Sequence, residues 1–404
     1  MIASLLLAAL PMAAAAPWAQ PEGAPVYELF KRQGTARLTP SPATSYPPAL
    51  AVPPVSGIPK EWLDKLEAVK DQIANVPIST PVVSADSNAV TYPPGTNLEA
   101  NGICAYTTGC TTKDDIWAGP DGAFVITFDD GPGAGTTNLS NFLESKQMSA
   151  HATHFMIGAS IVAEPVLFKG VFDRGGHIAS HTWSHSRMTI LSNEQIVGEL
   201  GWTMQAIADN TGGRLPLFWR PPYGDLDNRV RDVAKKVFGL ETVVWNRDSN
   251  DWKIAREGKA PVEKVFDDWA NGPKNPGLNV LMHEINTGTV DIFIAKFQNF
   301  VDKGWKVLNV AEAFNKPMYF NAADNKATVT PMTIKDLGAN GSPAPAANSS
   351  ASAGASAGAS GAASGSGSAT ASAAPAATKP SSASRGFVAP VATILVAVVA
   401  AAFF

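Results

Sequence analysis

Between about residues 117 and 315 the chain alternates short apolar runs with amphipathic stretches. Runs rich in β-branched and aromatic residues, bounded by Gly, Pro, Asn or Asp, predict buried strands at 124–128, 153–157, 177–180, 217–219, 242–245, 280–283 and 307–310. Apolar residues recurring every three or four positions predict helices at 137–146, 164–173, 193–209, 228–238, 261–271 and 289–303. Strand followed by helix, repeated along this region, predicts an α/β fold. Its parallel sheet is expected to curl into a barrel with the chemistry at the carboxyl ends of the strands.

The flanks read differently. Residues 20–116 are Pro-rich and polar, which predicts an extended segment rather than a second domain. Within it Trp62, Leu66, Val69 and Ile73 recur at helical spacing behind Pro59, predicting one helix docked on the main domain. Past Lys316 the pattern fades, and the Ser/Ala/Gly-rich stretch 339–384 has almost nothing to bury, so it is expected to be a disordered stalk.

Both ends are apolar. Residues 1–19 carry a short apolar core followed by small residues, the layout of a secretory signal peptide and too short to span a bilayer. Residues 387–404 are apolar to the last position behind a polar spacer, the layout of a GPI-attachment signal with Ser372 as the attachment residue. A tail-anchored helix is the alternative. The expected location is therefore the outer face of the plasma membrane or the cell wall. A formal net charge of −4 over 404 residues, with no basic cluster, argues against nucleic acid as a partner.

An exported chain with two cysteines defaults to a disulfide, here Cys104 with Cys110. A metal pair would need two more ligands that the neighbourhood does not offer. Closing so small a loop contributes about 2 kcal/mol. Sequons for N-glycosylation stand at Asn138, Asn340 and Asn348.

The candidate chemistry begins at His181-Thr182-Trp183-Ser184-His185. Two imidazoles at i and i+4 can point the same way from a helical turn or a tight loop, and an upstream carboxylate can complete a three-ligand divalent-metal site. Thr182 stands where a zincin has its Glu, so a general base must come from elsewhere. Asp129-Asp130-Gly131-Pro132, after the predicted strand 124–128, can supply one: at a strand end successive residues diverge, letting one Asp bind metal while its neighbour faces the reacting water. Read alone, each motif also fits a bland alternative, a chance helical pair or a solvated turn.

Three further motifs follow predicted strands in order: Arg220-Pro221-Pro222-Tyr223-Gly224, Asp248-Ser249-Asn250-Asp251-Trp252 and Leu281-Met282-His283. With these the chain resembles the polysaccharide deacetylase family, carbohydrate esterase family 4, and within it the fungal chitin deacetylases. The resemblance implies a distorted, incomplete (β/α) barrel. It also implies hydrolysis of N-acetyl groups of chitin or another N-acetylglucosamine polymer by a divalent metal, zinc or cobalt. The roles it implies are Asp130, His181 and His185 as metal ligands, Asp129 as base, His283 as acid, Arg220 orienting Asp129 and Asp248 partnering His283. The backbone N–H of Tyr223 would serve the oxyanion, with Trp252 and Leu281 walling the acetyl methyl. An O-deacetylase of acetylated xylan or another wall glycan, and an inactive wall-glycan-binding protein, remain as alternatives. His151, His154 and His177 match no ligand position, while Trp117, Trp183 and Trp219 could stack on sugar rings or belong to the core.

Overall fold

The computed structural model describes residues 45–49, 51–81, 90–98 and 102–338. The expected signal peptide at 1–19, the stalk at 339–384 with Asn340, Asn348 and Ser372, and the tail at 387–404 lie outside the described residues. Among the described residues no helix is long and apolar enough to cross a membrane.

The chain forms a parallel sheet wrapped by helices. Its strands are β1 (Ala123–Val125), β2 (Thr127–Gly131), β3 (Thr153–Met156), β4 (His177–Ser180), β5 (Phe218–Trp219), β6 (Glu241–Thr242), β7 (Arg247–Asp248), β8 (Leu278–His283) and β9 (Lys306–Leu308). In space they run β9-β1-β8-β2-β3-β4-β5-β6, and β7 pairs with β8. The helices are α1 (Lys60–Val69), α2 (Thr136–Ser145), α3 (Gly158–Ala163), α4 (Pro165–Asp173), α5 (Asn193–Asn210), α6 (Asn228–Asp232), α7 (Ile254–Glu257), α8 (Lys259–Asn271), α9 (Thr287–Asp302) and α10 (Val310–Ala313).

The expected barrel is incomplete at one seam. Glu241 and Thr242 pair with β5, Arg247 and Asp248 pair with β8, and Val243 between them bridges Ile116 of the N-terminal segment. One run of chain thus touches both borders of the gap without a continuous ladder to close it.

Strand alternation divides the core. Phe124, Ile126 and Phe128 join a cluster with Leu139 of α2 and with Phe293, Phe297 and Phe300 of α9. Ala123 and Val125, of the opposite parity, join the larger cluster that holds Phe155, Ile178 and Phe218. Helix boundaries follow local chemistry. α5 starts in a capping box, with Gln195 N–H donating to Ser192 Oγ at 3.3 Å and Ser192 N–H donating to Gln195 Oε1 at 2.9 Å. α9 starts where Asn286 Oδ1 accepts from Thr289 N–H.

Two expectations shift at the edges. The predicted strand 307–310 ends at Leu308, because Asn309 caps α10, its side chain accepting from Glu312 N–H. The main domain, expected to end at 315, continues to residue 338: Tyr319, Phe320, Ile334 and Leu337 are buried in the larger cluster. That stretch lacks a helical or strand period because its backbone pairs in loops, Phe320 N–H with Leu215 C=O for one.

The N-terminal helix docks as its spacing predicts. Trp62 is 3% exposed and lies edge-on to Trp202 of α5, with ring centroids 5.3 Å apart. A Cβ on Gly201 would sit 2.5 Å from the Trp62 ring, so the contact needs glycine there. Trp62→Ala should therefore destabilise the whole domain by about 3–5 kcal/mol in denaturant unfolding. A loss below about 1 kcal/mol would mean that α1 is an accessory to the fold rather than part of it.

Candidate active site

Asp129 and Asp130 end β2. Asp129 shares the inward parity of Val125 and Thr127, whereas unbroken alternation would turn Asp130 toward the outer helices. Asp130 instead takes φ 69°, and the register with β3 shifts between Asp129 and Gly131. This left-handed residue brings both carboxylates toward His181 Nε2, Asp129 Oδ2 at 3.7 Å and Asp130 Oδ1 at 3.2 Å, which the simple strand-end alternation expected from the sequence does not achieve.

The two imidazoles come from the loop after β4, not from a helix: Thr182 and His185 have φ 65° and 58°. Glu199, buried on α5, holds that loop, accepting from the N–H groups of Trp183 at 2.7 Å and Ser184 at 2.8 Å and from the Ser184 hydroxyl. Burial pushes the Glu199 carboxyl up to about 7, with the donors from Ser184 and Trp183 pulling the other way.

The result is one compact donor set. Asp130 Oδ1 lies 3.2 Å from His181 Nε2 and 3.0 Å from His185 Nε2, and the three ligand atoms fall within 4.8 Å of one another. His181 Nδ1 lies 2.8 Å from Arg220 C=O, to which only an N–H can donate, so Nδ1 carries a proton and Nε2 is the nitrogen turned toward Asp130. Asp130 Oδ1 is buried and takes no hydrogen bond. Burial keeps His185 below its usual range; it also opposes ionisation of Asp130, but the two imidazoles outweigh this and hold that carboxyl well below the usual range. One carboxylate oxygen and two ring nitrogens converging on the same point are a donor set for a divalent cation, so these residues fit the metal that the resemblance implies.

Asp129 has a different partner. Arg220, fully buried, donates from Nη1 to Asp129 Oδ1 at 2.8 Å and to Thr127 Oγ1 at 2.6 Å. Asp129 Oδ2 is left 3.7 Å from His181 Nε2. Tyr223, in the turn after β5, has φ 61°, and its hydroxyl lies 3.1 Å from His185 Nδ1.

His283 ends β8 directly beside Asp129 in the parallel ladder. Its carboxylate partner is Asp251, not Asp248. Asp251 Oδ1 is 2.6 Å from His283 Nδ1, and Oδ2 accepts from the His283 N–H at 2.8 Å. Asp248 Oδ1 accepts from Asn250 N–H instead, capping the loop. The physical reason lies in that loop: Asn250 takes φ 55°, so the chain reverses after Asp248 and delivers the second Asp of the motif to the histidine. Leu281 is buried two residues before His283, while Trp252 is 37% exposed with the Lys253 ammonium 4.9 Å from its ring centroid.

The other sequence candidates fall as follows. Cys104 and Cys110 are disulfide-bonded, their Cα atoms 5.1 Å apart. Asn138 is exposed on α2. Trp183 and Trp219 are core residues, and only Trp117 of the three is exposed. Residue reading missed Asp251, Glu199 and the Tyr223 hydroxyl. The signal for Glu199 was a lone carboxylate on the buried face of α5, between Ile196 and Thr203; for Asp251 it was a second acid in a motif already singled out.

A family model described as polysaccharide deacetylase matches residues 118–243. Chitin deacetylase 3 of Cryptococcus neoformans var. neoformans is 43% identical over 338 residues, covering 81% of each chain. This chain belongs to the polysaccharide deacetylase family. The family relation extends to the chitin deacetylase of Amylomyces rouxii, 36% identical over 253 residues, covering 59% of this chain and 58% of that protein. Among solved structures, the chitin deacetylase of Colletotrichum lindemuthianum is 24% identical with a TM-score of 0.46, covering 50% of this chain and 92% of that one.

The two carboxylates near His283 can be told apart by titration. Burial alone would push His283 down, but the charge and hydrogen bond of Asp251, with Asp130 and Asp129 beyond, raise it to about 10. A raised histidine is protonated below its pKa and loses its proton as pH rises through it, so a donor role is lost on the alkaline side. Asp251→Asn should move the alkaline limb of the pH–rate profile, and the NMR titration of His283, to lower pH by about one unit or more, equivalent to ~1.4 kcal/mol. Asp248→Asn should move both by less than about half a unit. The reverse order would return the partnership to Asp248.

Proposed function

We propose that this protein hydrolyses the N-acetyl groups of chitin, a β-1,4-linked N-acetylglucosamine polymer, giving chitosan and acetate. The observation that carries this reading is the separation of tasks around one cavity. A cation-binding set stands at Asp130, His181 and His185, an arginine-held carboxylate at Asp129, and a protonated histidine on the neighbouring strand at His283. The resemblance to fungal chitin deacetylases supports the polymer assignment.

The donor set of two imidazoles and one carboxylate suits zinc best, and cobalt accepts the same ligands. Such an ion polarises the amide carbonyl and lowers the pKa of water. The chain's own residues do the rest. Arg220 occupies Asp129 Oδ1, leaving Oδ2 to take the proton from the attacking water. Asp251 fixes the His283 ring with Nδ1–H as its donor, so Nε2–H is the proton available to the departing amine. The turn at Tyr223 presents its backbone N–H to the oxyanion, and Leu281 with Trp252 borders the acetyl methyl.

Acetate release from N-acetylglucosamine oligomers and from acetylated xylan, before and after chelation, tests the reading. Release from the oligomers, lost on chelation and restored by zinc, is expected. Release from xylan alone would make the protein an O-deacetylase, and none from either would make it a binding protein. Asp129→Asn should retain metal and lose about 10²–10⁴ in kcat. Asp130→Asn should lose metal first and recover part of its rate in excess zinc. Rescue of Asp129→Asn by zinc would exchange the two roles.

We also infer export and GPI anchoring through Ser372, on the apolar tail at 387–404, its polar spacer and the N-terminal signal. Phosphatidylinositol-specific phospholipase should release the protein from membranes, and its mature mass should lack the tail. A retained tail would make it tail-anchored.

A further inference from the structure

The seam where the sheet fails to close is filled by residues that precede the matched family region, 118–243. Ile116 enters it through a parallel bridge to Val243, its N–H donating to Thr242 C=O and its own C=O accepting from Val244 N–H. The next residue, Trp117, emerges on the surface 44% exposed. Beside it stands the disulfide loop, in which the Tyr106 hydroxyl donates to Trp245 C=O at 2.5 Å and the Tyr106 ring meets Trp245 edge-on. A Cβ on Gly224 would lie 2.9 Å from the Tyr106 ring, so the loop packs directly on the Tyr223–Gly224 turn.

Between these elements opens a cleft of about 450 Å³, lined by Tyr106, Thr107, Thr111, Trp117, Tyr223 and Asn246 among others. That volume falls within the range of about 300–1,000 Å³ usual for small-molecule sites. Tyr223 belongs to both the cleft and the reaction centre, since its hydroxyl also reaches His185. The cleft walls are stiff. Arg231 pairs with Asp115 through two nitrogens at 2.9 Å and donates to the carbonyls of Cys104 and Cys110, fastening the disulfide loop to α6.

We propose that this cleft is a subsite for a neighbouring N-acetylglucosamine unit of the polymer, with Trp117 stacking on the sugar face. A β-linked pyranose carries apolar C–H faces and a rim of equatorial hydroxyls. It therefore calls for one flat aromatic surface with polar groups around it. Trp117 supplies the surface, and the exposed hydroxyls of Thr107 and Thr111 supply the rim. A single exposed aromatic would mean little by itself; the cleft it lines, and the Tyr223 side chain that links that cleft to His185, give this one a use. A rigid wall lowers the ordering cost of holding a second sugar, so longer chains gain affinity that short ones do not.

The inference rests on the proposed deacetylase reading. Acetate release is followed for oligomers from the dimer to the hexamer with wild type, Trp117→Ala, Trp117→Phe and Thr111→Arg, each checked for an unchanged unfolding midpoint. Trp117→Ala should raise KM for the hexamer about five- to tenfold, the range that aromatic stacking supplies, with kcat within about twofold. The hexamer-to-dimer ratio of kcat/KM should fall accordingly. Trp117→Phe should recover most of that ratio. Thr111→Arg, which fills the cleft and keeps Trp117, should lower it again, so the question remains answerable if Trp117→Ala misfolds. An unchanged ratio in Trp117→Ala and Thr111→Arg would overturn the subsite while leaving the activity intact. A wild type that deacetylates no oligomer would overturn the reading beneath it, and the subsite with it.

Discussion

A carboxylate at the end of a buried strand normally has its neighbour on the other face of the sheet. Here one left-handed residue, Asp130, sets that rule aside and turns two consecutive acids toward the same imidazole, that of His181. Holding a non-glycine residue there costs on the order of 1 kcal/mol or more, and two buried negative charges cost more still unless each has a partner. The surrounding structure can be read as the answer to that demand. Asp129 receives Arg220, Asp130 faces His181 and His185, and each imidazole is oriented by a further group on its outer nitrogen.

Different partners make chemically identical neighbours behave differently. A guanidinium that donates to one oxygen leaves the other as a proton acceptor, whereas two ring nitrogens converging on a carboxylate oxygen make a donor set for a cation. The same logic separates Asp248 from Asp251. One spends its oxygen on a loop N–H, and the other engages both the ring and the backbone of His283. Roles in this site follow the hydrogen-bonding environment of each acid rather than its place in a motif.

The N-terminal segment is structural in more than one place. Tyr46 stacks on Trp183 of the loop that carries His181 and His185 at 5.5 Å, α1 fills the groove over Gly201, and Ile116 occupies the open seam of the sheet. A barrel with a gap would otherwise leave strand edges with unpaired backbone groups, so a chain that keeps the gap has to cover it. Covering it with Ile116, flanked by Trp117 and the disulfide loop, also shapes what lies next to Tyr223.

Periodicity located most strands and helices, since burial of one face repeats along the chain whatever the fold around it, but it missed the two-residue strand at Arg247–Asp248 and ran the strand at 242–245 past its end at Thr242. The motifs, and the family resemblance that their order carries, singled out Asp129, Asp130, His181, His185, Arg220 and His283 as candidates, because few residue types can hold a cation or move a proton. The tertiary structure alone decided the rest. Periodicity carries no record of a single positive φ, so it did not reveal how Asp130 joins Asp129. Spacing within Asp248-Ser249-Asn250-Asp251 does not say which acid reaches a histidine on another strand; the left-handed Asn250 does. Nor could composition separate Trp117 from Trp183 and Trp219. Exposure depends on what the remainder of the chain packs over each ring, and that is a property of the fold rather than of any local stretch.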